Sequence, residues 1–573
     1  MLKHFKIWAV AFAASTLTMV AAASAAQSGN LVSAQWLKDN LGNPDILLLD
    51  ASPAKLYTQG HIPGAQSVSF KPEENTSQGV SLSYGGGVDY FTDTNAQVPF
   101  QELPPKEMEA LFQKWGASPD RTVVVYDQGA SMFATRLFYS FFYHGYPTDK
   151  LFILDGGLAK WQELGMPITQ DVPPEPKKGS FQVKAVKDEY KASVSEVLTA
   201  SGDPERNALV EGLGADWHFG EALNYDRRGH IPHAKMMPFV SFYNEDKTFK
   251  SPDELRKLLG LLDVQEDQNI YTHCGGGIAG SVPFFAIKFL AGYENVKHFP
   301  ESQLGWLRDD RQLPFWTYDA PYLLRDSEWL QWWGGQRTRT LGSIHVSMID
   351  VRKPDEYKEG HIPFALNIPA SEFQKNLGNK SKLAALLGPA GVNPEHEAVV
   401  ISDNGLSKDA ALAFVALEAL GQRKVSIFSE DMNAWANRGF PLKDTPTAVG
   451  KKKVRHDLII PAVDYKAESR KGVFFDPKQA AKGDFPRVYI ASGDAMPKNI
   501  SKLDGKVVHV PYSTLVDELG KPKSAQDIWN TLHKAGVPRF AELIAVSDDA
   551  GEAAVNYTVL KLMGYPSISL HTL

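Results

Sequence analysis

The stretch "LLLDASPAKLYTQGHIPGAQSVSF", residues 47–70, returns later in the chain as "SMIDVRKPDEYKEGHIPFALNIPA", residues 347–370. In both, an apolar run ends in Asp, and Gly-His-Ile-Pro then leads into a second apolar segment. Residues 229–238, "GHIPHAKMMP", are a third copy. Residues 488–515, "VYIASGDAMPKNISKLDGKVVHVPYSTL", keep the rhythm with Gly-Lys-Val-Val-His-Val-Pro in place of the motif, a decayed fourth. Repetition at this scale sets the architecture before any local detail does.

Each copy is followed by a second matching segment: "TVVVYDQGASMFATRLFYSFFYHGY", "NIYTHCGGGIAGSVPFFAIKFLAGY", "AVVISDNGLSKDAALAFVALEALGQ" and "LIAVSDDAGEAAVNYTVLKLMGY". All four read as a short buried strand, a turn, and an apolar helical stretch ending in or near Gly. Three continue into another short strand with a Trp seven residues on, at Trp161, Trp306 and Trp435. Strands alternating with helices predict α/β units with parallel sheets. Composition shifts at "QDVPPEPKKGS" (170–180), "FWTYDAPY" (315–322) and "TPTAVGKKK" (445–453) mark linkers and divide the chain into four domains.

The N-terminus, "MLKHFKIWAVAFAASTLTMVAAASAAQ", sets Lys3 and Lys6 ahead of an apolar run that closes on Ala23-Ser24-Ala25. This is the pattern of a cleavable secretory signal over residues 1–25, and it predicts a periplasmic or otherwise exported protein with no membrane span after cleavage. A net charge of −7 and the lack of a basic block argue against nucleic acid as a partner. The lysines at 451–453 sit in a linker and read as a solvated run. The 15 histidines are scattered without metal-ligand spacing, and no GxGxxG follows a strand, so neither a metal nor a cofactor is expected.

The chain has a single cysteine, Cys274, which excludes an internal disulfide. By itself such a thiol is either a small buried hydrophobe or a working group. Its setting, His273-Cys274-Gly275-Gly276-Gly277-Ile278-Ala279-Gly280-Ser281, bears on which. A free thiol is mostly protonated at neutral pH, so a nucleophilic one needs its anion stabilised. The loop contains no Lys or Arg, which leaves main-chain amides and the start of a helix expected near Gly280-Ser281. The three glycines permit positive φ and an inward-facing nest of N–H groups. Six residues beyond Cys274 stands Gly280 where Cys-x5-Arg phosphatases need arginine, which disfavours phosphoryl transfer.

Taken together, the GHIP element, the strand-loop-helix after it and the "LDGGLAKW" segment resemble the rhodanese family of sulfurtransferases, across nearly the whole chain after the leader. The resemblance implies four tandem rhodanese-like domains, each a parallel sheet flanked by helices, at 31–170, 183–316, 322–444 and 454–573. Aligning the loops sets Asp127, Cys274, Asp403 and Asp548 at equivalent positions, so only the second domain has the nucleophile. A carboxylate cannot hold a sulfane sulfur, which makes the other three inactive. The loop "CGGGIAG" is similar to the Cys-Gly-[Ser/Thr]-Gly-Val-Thr loop of mercaptopyruvate-type members, with Gly276 and Ala279 in place of its hydroxyl residues. Arg227 and Arg228, just before the GHIP motif, stand where family members often have an arginine for the substrate's anionic group. His61, His230 and His361 belong to the repeated motif and are expected to make structural hydrogen bonds, and His273 to pack.

Two functions follow. One is an exported thiosulfate sulfurtransferase-like enzyme: Cys274 takes sulfane sulfur from thiosulfate, or a similar donor such as 3-mercaptopyruvate, and passes it to a thiol or cyanide through a persulfide. Gly275, Gly276, Gly277, Ile278 and Ala279, with Arg228 and Arg227, would bind the substrate. The other is a carrier of sulfur or a soft metalloid that docks on an extracytoplasmic protein partner. The stretch 72–106 is long for a connection and is a candidate cover for the thiol.

Overall fold

The computed structural model describes residues 27–69, 91–93, 95–342, 344–450, 459–477 and 483–573. The leader, most of the 72–106 stretch and the 451–453 lysines lie outside them. The chain divides into two compact units, residues 1–315 and 316–573.

In the first unit, one sheet runs Gln27–Ser28, Leu31–Val32, Leu151–Leu154, Thr122–Tyr126, Ile46–Asp50, Gln66–Ser67, parallel except for the first pair. The other runs Ala234–Met236, Asn207–Glu211, Asn269–His273, Val296–His298, all parallel. The second unit has Leu324–Arg325, Lys424–Phe428, Glu397–Ile401, Val346–Asp350, Leu366–Asn367, and separately Lys506–His509, Arg487–Ala491, Glu542–Ser547, Ile568–Thr572. One order recurs in all four sheets. The strand before each GHIP or GHIP-like element pairs on one side with the short strand that follows the motif, or in the fourth copy lies within it, and on the other with the strand that ends in the Cys or Asp loop. These central strands are buried on both faces, as apolar, largely β-branched runs such as "TVVVY" and "AVVI" require.

Repeated residues do repeated work. Trp161, Trp306 and Trp435 are at most 1% exposed, and each indole N–H donates to a proline carbonyl, of Pro167, Pro314 and Pro441, at 2.8, 2.9 and 3.0 Å. In the first and third copies the motif histidine stacks on a tyrosine four residues earlier, His61 on Tyr57 at 3.8 Å and His361 on Tyr357 at 3.7 Å. Its Nδ1–H donates to that tyrosine's carbonyl, and the tyrosine hydroxyl donates to the carbonyl of Ala65 or Ala365. His230 instead stacks on His218 and donates to its carbonyl at 2.7 Å.

Within each unit the helices that follow the loops pack on one another. In the first, Phe138 on helix Phe133–Tyr143 meets Phe285 and Phe289 at 4.8 and 5.1 Å, and Thr135 hydrogen-bonds Ser281 at 2.9 Å. In the second, alanine-rich helices Lys408–Leu420 and Ala550–Leu562 meet around buried Glu418, which takes Tyr557, Lys561 and Arg470. Among the described residues no helix is long and apolar enough to cross a membrane.

The Tyr357 hydroxyl donates to Ala365 at 2.8 Å and accepts the Thr447 N–H at 3.1 Å. Tyr357→Phe leaves both groups without that partner and is expected to cost about 1–3 kcal/mol, read as a lower urea midpoint at unchanged slope. An unmoved midpoint would show that these bonds do not hold the turn.

Candidate active site

Strand Asn269–His273 lies inside its sheet, with Asn207–Glu211 on one side and Val296–His298 on the other. Cys274 is the first residue past its end and opens a loop that reaches helix Ser281–Phe285, which continues as a π-helical turn over Ala286–Leu290. The helix begins where the sequence predicts, but its α-helical part is five residues long, so the electrostatics of the loop rest mainly on the loop itself.

Most of the loop's carbonyls are hydrogen-bonded and most of its amides are not. Cys274 O accepts Gln303 N–H, Gly275 O accepts Leu304 N–H, and Gly277 O accepts His298 Nε2–H at 2.9 Å. The carbonyls of Ile278, Ala279 and Gly280 accept from residues 281, 282 and 284. Among the described residues the amides of Gly275, Gly276, Ile278, Ala279 and Gly280 donate to no protein acceptor, while Gly277 N–H donates to Cys274 Sγ at 3.1 Å. Amides left free in this way can stabilise an anion set against them. Cys274 itself is 3% exposed. Its amide donates to Ser302 Oγ at 3.0 Å, and the Ser302 proton goes to Phe299 O at 2.8 Å, so the 3.9 Å approach of Ser302 Oγ to Sγ carries no strong hydrogen bond.

The glycines do not share one role. Only Gly277 adopts the left-handed region, at φ +90°, and a Cβ there would collide with the Pro300 carbonyl. Gly275 and Gly276 have ordinary φ, contrary to the expectation that all three supply positive φ. A Cβ on Gly275 would meet only ordinary contacts, Leu213 at 3.8 Å and Asn224 at 3.9 Å. One on Gly276 would press on Leu304 at 3.3 Å and on the ring of Phe100 at 3.4 Å.

Behind the loop lies a buried polar network. Glu211 stands beside His273 in the sheet register and is fully buried, with one carboxylate oxygen paired to His218 and the other accepting Gln303. Gln303 also accepts from Asn224 at 2.7 Å and holds the Cys274 carbonyl through its main chain. Burial pushes Glu211 up, but the His218 imidazole, with His273 and His230 nearby, overrides it and holds the carboxyl below its usual range. His273 is fully buried with neither ring nitrogen hydrogen-bonded, and desolvation lowers its pKa, keeping it neutral. His298 is pushed down to about 3 by burial and by Arg136.

The aspartates at the equivalent positions differ in their surroundings. Asp127, 4% exposed, accepts the amides of Gly129, Phe133 and Ala134 at 2.8, 3.1 and 2.9 Å. Asp403 is half-exposed and 3.5 Å from Arg352. Among the described residues Asp548 accepts only Lys498 N–H at 3.3 Å, while its neighbour Asp549 caps the next helix and pairs with Lys408.

Arg227 and Arg228 lie on a two-stranded hairpin, Leu223–Asn224 with Arg227–Arg228. Arg228 is exposed and donates to the carbonyls of Gly220 and Glu221. Arg227 donates to Leu313 O at 2.6 Å, lies over Phe315 and leaves Nη2 without a hydrogen bond. Among the described residues neither guanidinium hydrogen-bonds Cys274 or its loop.

Comparison with known proteins gives the chain its relatives. The Rhodanese-like domain description matches residues 33–164 and 338–438. The sulfur carrier protein TtuD of Thermus thermophilus is 30% identical over 292 residues, covering 48% of this chain and 93% of the relative. The chain belongs to the rhodanese family of sulfurtransferases. A Pseudomonas aeruginosa protein named "Probable 3-mercaptopyruvate sulfurtransferase" is 28% identical over 296 residues, covering 50% of this chain and 97% of its own length. The crystal structure of the 3-mercaptopyruvate sulfotransferase SseA from Escherichia coli aligns at 26% identity and TM-score 0.41, over 48% of this chain and 99% of that one. This rhodanese-family chain is a sulfurtransferase-like enzyme.

The family's loop is legible in this sequence, but the residues around it are less so. Glu211 ends "NALVE" as Asp50 ends "ILLLD" and Asp350 ends "VSMID", so the strand alignment carries a signal for it. His298 comes from the next strand, Ser302 and Gln303 from the short helix Ser302–Leu307 after it, and Phe100 from the long stretch of the first repeat, without any motif to flag them.

Two expectations test this geometry. Gly277→Ala must bear left-handed strain and a carbonyl clash and is expected to destabilise by about 2 kcal/mol or more, whereas Gly275→Ala is expected to stay within about 1 kcal/mol of wild type. Equal thermal midpoints for the two variants would contradict the assigned roles. For His298 the folded chain resists protonation down to about 3, while an unfolded imidazole takes a proton near about 6.5. Stability is therefore lost as pH falls through that window. His298→Asn is expected to flatten the fall in urea midpoint between about pH 7 and pH 5, and parallel losses in the two proteins would assign the effect elsewhere.

Proposed function

We propose that this protein moves sulfane sulfur from thiosulfate, or a similar donor such as 3-mercaptopyruvate, to a thiol or cyanide through a persulfide on Cys274. The observation that carries the reading is the loop itself: one thiol receiving the Gly277 N–H, among five amides left without a protein acceptor. With thiosulfate, the Cys274 thiolate attacks the outer sulfur, the S–S bond breaks, and its electron pair leaves with sulfite. Cyanide or a thiolate then attacks the outer sulfur of the persulfide, and the pair of that S–S bond returns to Cys274. The loop amides of residues 275–279 stabilise the anion before and after transfer. Both arginines are already engaged, Arg228 with the Gly220 and Glu221 carbonyls and Arg227 with the Leu313 carbonyl and Asp226, so either would bind the donor's anionic group only by releasing a present partner.

The reading extends to the whole chain. Four sheets of one strand order support four tandem rhodanese-like domains, three of them inactive with Asp127, Asp403 and Asp548 at the nucleophile's position. The leader over residues 1–25 supports export and action outside the cytoplasm. A second reading, a sulfur carrier that hands its load to a docked extracytoplasmic protein, draws support from the 3% exposure of Cys274 and from the name of the Thermus relative.

Thiosulfate:cyanide transfer with ping-pong kinetics is expected of the mature chain, and Cys274→Ser is expected to abolish it while keeping the fold. Undiminished turnover in that variant would end both readings. A stable persulfide with no transfer to small acceptors would select the carrier.

A further inference from the structure

A residue from the first repeat stands against the Cys274 loop. In the 72–106 stretch, Thr92–Asp93 pairs antiparallel with Gln101–Glu102. Arg136, fully buried on helix Phe133–Tyr143, clamps this ribbon: it donates to Phe100 O at 3.0 Å and to Ser140 Oγ at 2.7 Å, and it ion-pairs with Glu102. Farther along, Arg308 donates to Gln97 O. Held between these anchors, Phe100 adopts φ +65°, a left-handed conformation costly for an aromatic residue, which persists where the surroundings impose it.

The clamp sets the Phe100 ring against the loop. Nothing in the backbone of Gly276 demands glycine, since its φ is ordinary. A Cβ there would stand 3.3 Å from Leu304 Cδ1, a tight contact, and 3.4 Å from the Phe100 ring, at the near edge of ordinary van der Waals contact. Leu304 and the Phe100 ring thus stand against position 276, and any side chain longer than a methyl has to find room beside them.

We propose that Phe100 is a specificity-determining residue for sulfur transfer at Cys274, making the wall beside the thiol close and apolar. The inference rests on the sulfurtransferase reading above. A slender inorganic sulfane-sulfur anion, thiosulfate, reaches the thiol past this wall. 3-Mercaptopyruvate, which carries a ketone and a carboxylate on the carbon chain behind its sulfur, has a longer and more polar tail to pass along the ring, and a peptide-sized carrier meets a steric block.

The test measures kcat and KM of the full chain for thiosulfate, 3-mercaptopyruvate and glutathione persulfide. It compares wild type with Phe100→Ala, Phe100→Leu, Gly276→Ser and the Phe100→Ala/Gly276→Ser double variant. Wild type is expected to prefer thiosulfate. Phe100→Ala is expected to raise kcat/KM for 3-mercaptopyruvate relative to thiosulfate by about tenfold or more, mainly through KM, with Phe100→Leu between. Gly276→Ser is expected to lose activity with every donor, and the double variant to regain about tenfold of that loss. An unchanged donor ratio in Phe100→Leu and in folded Phe100→Ala, or no recovery in the double variant, overturns the inference and leaves the enzyme reading intact. No transfer from any donor in wild type overturns both.

Discussion

The region around Cys274 is organised by a loop most of whose carbonyls are hydrogen-bonded and most of whose amides, among the described residues, are not. The first repeat shows what satisfies such amides. There the carboxylate of Asp127 accepts three main-chain amides and closes the loop on itself. In the second repeat the corresponding position holds a thiol that receives one amide, and five further loop amides have no acceptor among the described residues. The same turn of backbone is closed by its own side chain where it holds Asp and keeps free donors where it holds Cys.

The rest of the unit keeps that turn rigid. His298 and the main chains of Gln303 and Leu304 fasten its carbonyls, and Glu211 holds Gln303 in place while remaining fully buried. The indole of Trp306, hydrogen-bonded to the Pro314 carbonyl, locks the short helix that carries Gln303 and Leu304. Packing, buried hydrogen bonds and the site are therefore one construction, in which holding the reacting group still is a large part of catalysis.

Much of this is written locally. The alternation of apolar strand, turn and apolar helix is set by short-range pattern, and the tryptophans and motif histidines recur at fixed spacing because each closes a local hydrogen bond. Cys274 and its loop are legible for the same reason. The glycine roles are not, because Gly277 answers to Pro300 and Gly276 to Phe100, neighbours distant in sequence whose approach only the folded chain reveals. Arg227 and Arg228 show the converse: an arginine pair beside a motif suggests an anion site, yet both guanidiniums satisfy carbonyls of their own surroundings first.

The central claim is that the main chain of residues 275–280 holds the sulfur anion on Cys274. The most direct measurement is a crystal structure of the protein after loading with thiosulfate. The account predicts the outer sulfur of a Cys274 persulfide lying within hydrogen-bond reach of several of the amides that now lack acceptors. A persulfide directed away from them, into the apolar surroundings of Leu213 or Leu304, would contradict it.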